Sequence, residues 1–166
     1  MPRLRPPSGP WPPLPAPQHG AQHGGPVPVD YPPIACSTAN SSLAYACAVG
    51  RVRVRAVRVV ARAGWLIRPP AGHDEFNPFN TRIHGIRVED VAGASEWSHQ
   101  LDELCAFAGA DVLVAHNAGF DMNVLRRACA ATGDDCPPYR YLCTLQLARK
   151  SYVLDSYRLP LAAAAA

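Results

Sequence analysis

Between Val49 and Val54 the chain sets an apolar residue and an arginine in turn, in "VGRVRVRAVRVVARAGWLI", and the alternation resumes from Val57. A repeat of two is the mark of half-exposed antiparallel strands, so this stretch predicts a hairpin that turns near Arg55–Ala56. Further on the period changes. Trp97, Leu101, Leu104 and Phe107 recur at helical spacing, with Ser95 placed to cap that helix and Gly109 to end it. Asp111–Ala115 reads as a short buried strand. Gly119–Thr132 reads as a helix that gathers Met122, Leu125 and Cys129 on one face. A strand over Tyr139–Cys143 and a helix over Thr144–Tyr152 follow. Strands in a meander and then strands alternating with helices predict an α/β domain of three layers around a mixed sheet.

Composition sets the limits of that domain. Residues 1–33 carry 12 of the 18 prolines. They predict a disordered or polyproline-like extension, because proline donates no backbone hydrogen bond and the segment has little to bury. The folded part is therefore expected over 34–166. No apolar run approaches the ~20 residues of a membrane span, and no apolar core of a signal peptide opens the chain. Six cysteines without a CxxC pair or zinc spacing predict reduced, mostly buried thiols and a cytoplasmic protein. The net charge is only +3, yet Arg51, Arg53, Arg55, Arg58, Arg62 and Arg68 share a window with no acid. Two readings follow for Arg51, Arg53 and Arg55: a solvated basic face of the hairpin, or a face for nucleic acid.

Candidate chemistry concentrates in "DVLVAHNAGFDMNVL", where a buried strand gives way to a helix. Polar residues at the C-terminal edge of a sheet are where α/β proteins gather chemistry. Asp121, in the first turn of that helix, is an oxygen ligand suited to Mg²⁺ or Mn²⁺, or else an acid placed on the helix dipole. His116 and Asn117 are either part of a site or a satisfied pair at a strand end. In "NTRIHGI", Thr81 and His84 share one side of a helical turn, which Gly85 would end.

Taken together, "HNAGFD", "NTRIHGI…VEDV" and "LCTLQLAR" resemble the DEDDh 3′–5′ exonucleases, the group of the epsilon proofreading subunit of bacterial DNA polymerase III. The resemblance runs from Ile34 to the last residue. It implies a ribonuclease H-like fold and two divalent cations, Mg²⁺ or Mn²⁺, that activate water against the terminal phosphodiester. It makes Asp121 the metal-holding carboxylate of the second motif. It sets His84 and Ile86 near a 3′-terminal nucleotide, and has Asn117 and Phe120 shape the site.

The same comparison exposes departures. Family members open with Asp-x-Glu on the first strand. Here the equivalent stretch is "IACSTAN", which leaves Ala35 and Ser37 in those places. No carboxylate occurs between Ile34 and His73, and no histidine follows His116, so the family's third-motif base has no counterpart. The expectation is a domain of that family, incomplete at its C-terminus, uncovered around Val112–Val114 and catalytically inactive. Such a domain would hold metal only weakly and would retain affinity for a single-stranded 3′ end or a DNA polymerase. The resemblance leaves open whether DNA or RNA is the strand.

Overall fold

A computed structural model describes residues 31–151 except Val57 and His73. The hairpin forms as the alternation predicts. Strand β1 (Ile34–Thr38) pairs antiparallel with β2 (Ala46–Arg55), and β2 with β3 (Arg58–Leu66). The chain turns at Ala56, whose φ of 47° lies in the left-handed region. Helices α1 (Pro78–His84) and α2 (Val88–Val91) follow. Then come α3 (Trp97–Ala108), β4 (Leu113–Ala115), α4 (Ala118–Thr132), β5 (Tyr141–Cys143) and α5 (Thr144–Ser151). Strands β4 and β5 pair in parallel. The ladders are therefore two, β1-β2-β3 and β4-β5, and a single parallel bridge between Pro33, just before β1, and Val114 links them edge to edge.

Each face of the sheet has its own packing. On one, Ile34, Val49 and Leu113 meet Trp97, Leu101 and Leu104 of α3 and Met122, Leu125 and Cys129 of α4, all buried. Met122, Leu125 and Cys129 thus form the inward helical stripe that their spacing predicts. On the other, a smaller cluster joins Ala39 and Cys47 to Ile86 and Val91, beside α1 and α2. The result is the expected mixed α/β domain.

Several details depart from expectation. The sheet begins before Ile34: Tyr31 and Val54 exchange two backbone hydrogen bonds, Pro33 O accepts from Val52 and Pro32 O from Val114. A proline lacks the donor but keeps its carbonyl, so Pro32 and Pro33 serve a sheet as acceptors. The first 30 residues lie outside the described part. Ser95 does not cap α3. Its carbonyl accepts from Arg68, the cap position falls to Glu96, and no side chain caps the helix. The Val112–Val114 stretch is not uncovered, for Leu113 is buried and its neighbours half-buried. Among the described residues, exposed apolar side chains lie elsewhere, including Phe79 of α1, Leu142 of β5 and Leu147 of α5.

The basic face is the largest correction. Directly opposed residues of an antiparallel pair share a face, and Arg51 is opposed to Ile34. That places Arg51 and Arg53 under α3, on the packed side. Arg51 is 2% exposed, Arg53 is half-buried, and only Arg55 reaches solvent. Alternation defines two faces but does not say which one a helix will cover.

The four hydrogen bonds of Tyr31–Pro33 yield a prediction. A chain beginning at Tyr31 should be more stable than one beginning at Ile34 by about 2–6 kcal/mol, at ~0.5–1.5 kcal/mol for each bond. Denaturant unfolding of the two chains measures this; equal midpoints would show the added strand segment to be energetically idle.

Candidate functional site

The turn between β4 and α4 is sharp, and Asn117 makes it so. Asn117 has φ 64° and ψ 46°, the left-handed conformation that asparagine tolerates better than most residues. Its carbonyl accepts from Phe120, and the helix starts at once. The turn aims the first helical turn back across β1. There Asp121, 4% exposed, accepts a 2.8 Å hydrogen bond at Oδ1 from the backbone N–H of Cys36. Cys36 stands between Ala35 and Ser37, so Asp121 lies beside the strand that carries both.

Electrostatics at this point are those of a dry pocket. Burial pushes the Asp121 carboxyl up to about 6, against the lowering effects of the Cys36 N–H and thiol and of the His116 charge. The Cys36 thiol is raised as well, first by burial and then by the neighbouring Asp121 carboxylate. The acid is thus spent on Cys36. Cys36 is the residue that sequence reasoning missed, and no side-chain pattern could have flagged it, because its backbone amide makes the principal contact.

His84 is a clamp. Its Nδ1 accepts from the N–H of Ile86 at 3.0 Å, so its Nε2 carries the proton and donates to Thr38 O at 3.1 Å. Burial lowers its pKa, partly offset by the bond to Thr38, which agrees with a neutral ring. With both nitrogens engaged it offers none to a metal or a water. Asn80 reinforces the same tie: its Nδ2 donates to Thr38 O and to Asn40 O. Together they fasten α1 to the end of β1. The fold brings Ile86 to the same region, but as a buried core residue.

The remaining predicted positions are scattered. His116 Nδ1 meets Thr144 Oγ1 at 3.1 Å and ties β4 to α5. Asn117 and Phe120 are exposed at the start of α4, and Thr81 is half-buried on α1. Ala35 is exposed and faces Gly50 across the ladder; Ser37 faces Ala48. Neither brings a carboxylate to Asp121. Among the described residues no three His, Cys, Asp or Glu side chains converge as a metal site. Mg²⁺ and Mn²⁺ need several hard oxygens to offset dehydration. One buried carboxylate already bonded to a backbone amide does not fit a pair of cations.

The raised carboxyl gives the protein a pH signature with a definite sign. Asp121 binds its proton more tightly folded than unfolded, so its contribution to stability falls as pH rises from about 4 to about 6. The ionised form then costs up to about 3 kcal/mol, at 1.36 kcal/mol per pKa unit. His84, with its lowered pKa, acts in the opposite direction and loses stability as pH falls below the ordinary histidine range. Asp121→Asn should therefore stabilise the metal-free protein by about 1–3 kcal/mol at pH 7 and by almost nothing at pH 4. Urea unfolding of both proteins across that range measures it; a gain that does not depend on pH would mean the buried carboxyl does not titrate there. Asn117→Gly should be well tolerated, whereas Asn117→Val should cost about 1–2 kcal/mol through the left-handed backbone.

Comparison with known proteins places this geometry. The exonuclease family model RNase_T matches residues 41–165, beginning just after β1. A Mycobacterium tuberculosis (strain CDC 1551 / Oshkosh) protein, provisionally named bifunctional exonuclease/endonuclease protein MT2247, is 35% identical over 102 residues. The match takes in 61% of this chain and 15% of that protein, so the chain spans a small part of its relative's length. Exonuclease X in complex with 5′ overhanging duplex DNA shares the fold at a TM-score of 0.59 and 24% identity, over 77% of this chain and 68% of that one. The nuclease domain of 3′hExo, a DEDDh family member bound to rAMP, does so at 0.62 and 12%, over 80% and 72%. Exonuclease I gives 0.67 and 14%, over 78% and 34%. The α/β architecture described above is their ribonuclease H-like fold, and family members generally use divalent metals. The chain belongs to the exonuclease family.

Proposed function

We propose that this domain is a degenerate 3′–5′ exonuclease of the epsilon proofreading type, which has kept a surface for a single-stranded 3′ end and lost the capacity to cut it. The observation that carries this reading is the state of Asp121. The acid in the second-motif position is buried and bonded to Cys36, and the two positions that flank Cys36 on β1 hold a methyl group and a hydroxyl. Cleavage by two cations needs carboxylates that converge on one point, with a base to take the proton of the attacking water. Here the convergence point has one acid, and His84 holds its ring in a structural clamp.

Strand binding has weaker demands. Phe120 at the start of α4 and Phe79 on α1 expose aromatic surface on which a base can stack. Arg55, Arg58 and Arg62 at the far end of the hairpin are exposed and cationic, which suits phosphate attraction without sequence preference. The names of the structural relatives add support: exonuclease X was seen with DNA and the 3′hExo domain with rAMP. The closer assignment to the proofreading group rests on "NTRIHGI" and "HNAGFD". A DNA polymerase as partner rests on that assignment alone.

Binding and cleavage should therefore separate. On a 3′-labelled single strand with Mg²⁺ or Mn²⁺, the protein should show salt-sensitive retention in a filter or mobility assay and no turnover above background. Ala35→Asp with Ser37→Glu should raise metal affinity, because it returns two carboxylates to the strand beside Asp121. Metal-dependent cleavage by the unaltered protein, abolished by Asp121→Ala, would overturn the reading.

A further inference from the structure

The face of the sheet opposite Ala35 and Ser37 carries a second unusual feature. Arg51 lies there almost wholly buried, with its guanidinium carbon 3.5 Å from the centroid of the Trp65 ring and 5.3 Å from that of Phe107. Arg53 lies 4.8 Å from Phe107 on the same side and donates through Nη2 to the Phe107 carbonyl. Ring stacking satisfies the flat faces of a guanidinium. Its N–H donors, however, project outward in the plane. At Arg51 the Nε, Nη1 and Nη2 atoms are all buried without a hydrogen-bond partner, and so is Nε of Arg53. A buried cation with unmet donors is among the more expensive arrangements a fold can hold.

Beside these donors opens a groove of about 400 Å³, lined by Arg53, Ala61, Trp65, Glu103, Ala106 and Phe107. Both rings that pack on Arg51 are therefore walls of the groove. Arg51 itself lies behind these rings and is not a wall of the groove. We propose that this groove is a phosphate-binding site, in which Trp65 and Phe107 form the walls, Arg53 supplies donors at the wall and Arg51 supplies its own when a ring turns aside.

The chemistry selects the ligand. A guanidinium fork matches two oxygens of an oxyanion in parallel bonds. Two guanidiniums stand against one acid, Glu103, which lies at the rim and makes no hydrogen bond to Arg51. That imbalance favours phosphate, which carries more charge than a carboxylate. The phosphate could be free or could be a phosphodiester of a nucleic-acid strand. The site does not rest on the reading of the Asp121 edge, for it shares no residue with it.

The test uses the full chain and inorganic phosphate, titrated against chloride at constant ionic strength, with thermal melting and Trp fluorescence as readouts. At ten times its dissociation constant phosphate should raise the melting temperature by about 3–6 °C. Arg51→Met, which fills a similar volume without charge, should abolish that shift; Arg53→Gln tests the same point should the first variant fail to fold. Glu103→Gln should tighten phosphate binding several-fold by removing the competing acid. In a second arm, a single-stranded oligonucleotide that phosphate displaces, and that Arg53→Gln weakens, identifies a strand as the source. Phosphate binding that no strand disturbs identifies a small free phosphate. If neither the unaltered protein nor Glu103→Gln shows a phosphate-specific shift, and Glu103→Gln melts lower, then Glu103 is the partner of Arg51 and the proposal is overturned.

Discussion

The hydrogen bond from the Cys36 amide to the Asp121 carboxylate holds the working edge of this domain together. Strand β1 is paired with β2 on one side, and on the other it meets β4 only around Pro32 and Pro33. Beyond that bridge the Cys36 N–H has no strand to receive it. Asp121, turned back by the left-handed Asn117, takes the place of a neighbouring strand. A buried amide must be paired, and a carboxylate accepts more strongly than a carbonyl. The same bond docks the first turn of α4 on the sheet.

That use of Asp121 bears on chemistry. A carboxyl whose pKa burial has raised to about 6 is a poor anchor for a hydrated cation. With acids at positions 35 and 37, cations would offset its desolvation and keep it ionised. With alanine and serine there, the cheaper solution is a proton or a bond to Cys36. The surroundings of Asp121 thus set what its side chain can do. His84 follows the same logic, since burial and the hydrogen bond that Nδ1 accepts from Ile86 hold it neutral.

The arginines of β2 show how far packing can depart from polarity. Arg51 occupies a site on the α3 face that an aliphatic residue would fill without cost in charge. Trp65 and Phe107 soften that cost through their π faces, and burial lowers the guanidinium to about 10, with Glu103 acting against it. The register of the β2–β3 pair shifts between Arg53 and Val54, where Arg53 opposes Ala61 and Val54 opposes Val59, so the extra residue is Val60 on β3. Along β2 alternation continues: Val54 is buried and Arg55, on the other face and past the end of α3, reaches solvent.

What the sequence determined by itself was local. The repeat of two specified the hairpin, and helical spacing specified α3 and α4. Gly85 and Gly109 marked helix ends, each with a positive φ and an N–H returned to the preceding turn. The passage from apolar run to "HNAGFD" located the strand-to-helix turn and its acid. Tertiary structure decided the rest. Which face of the hairpin α3 covers depends on residues 40 or more positions away, so it settled the burial of Arg51 where alternation could not. The joining of Tyr31–Pro33 to the sheet depends on carbonyls that any residue possesses, proline included, so composition was silent about it. Whether Asp121 stands free or spent was decided by an amide 85 residues distant, and a backbone amide leaves no trace in the identity of its residue.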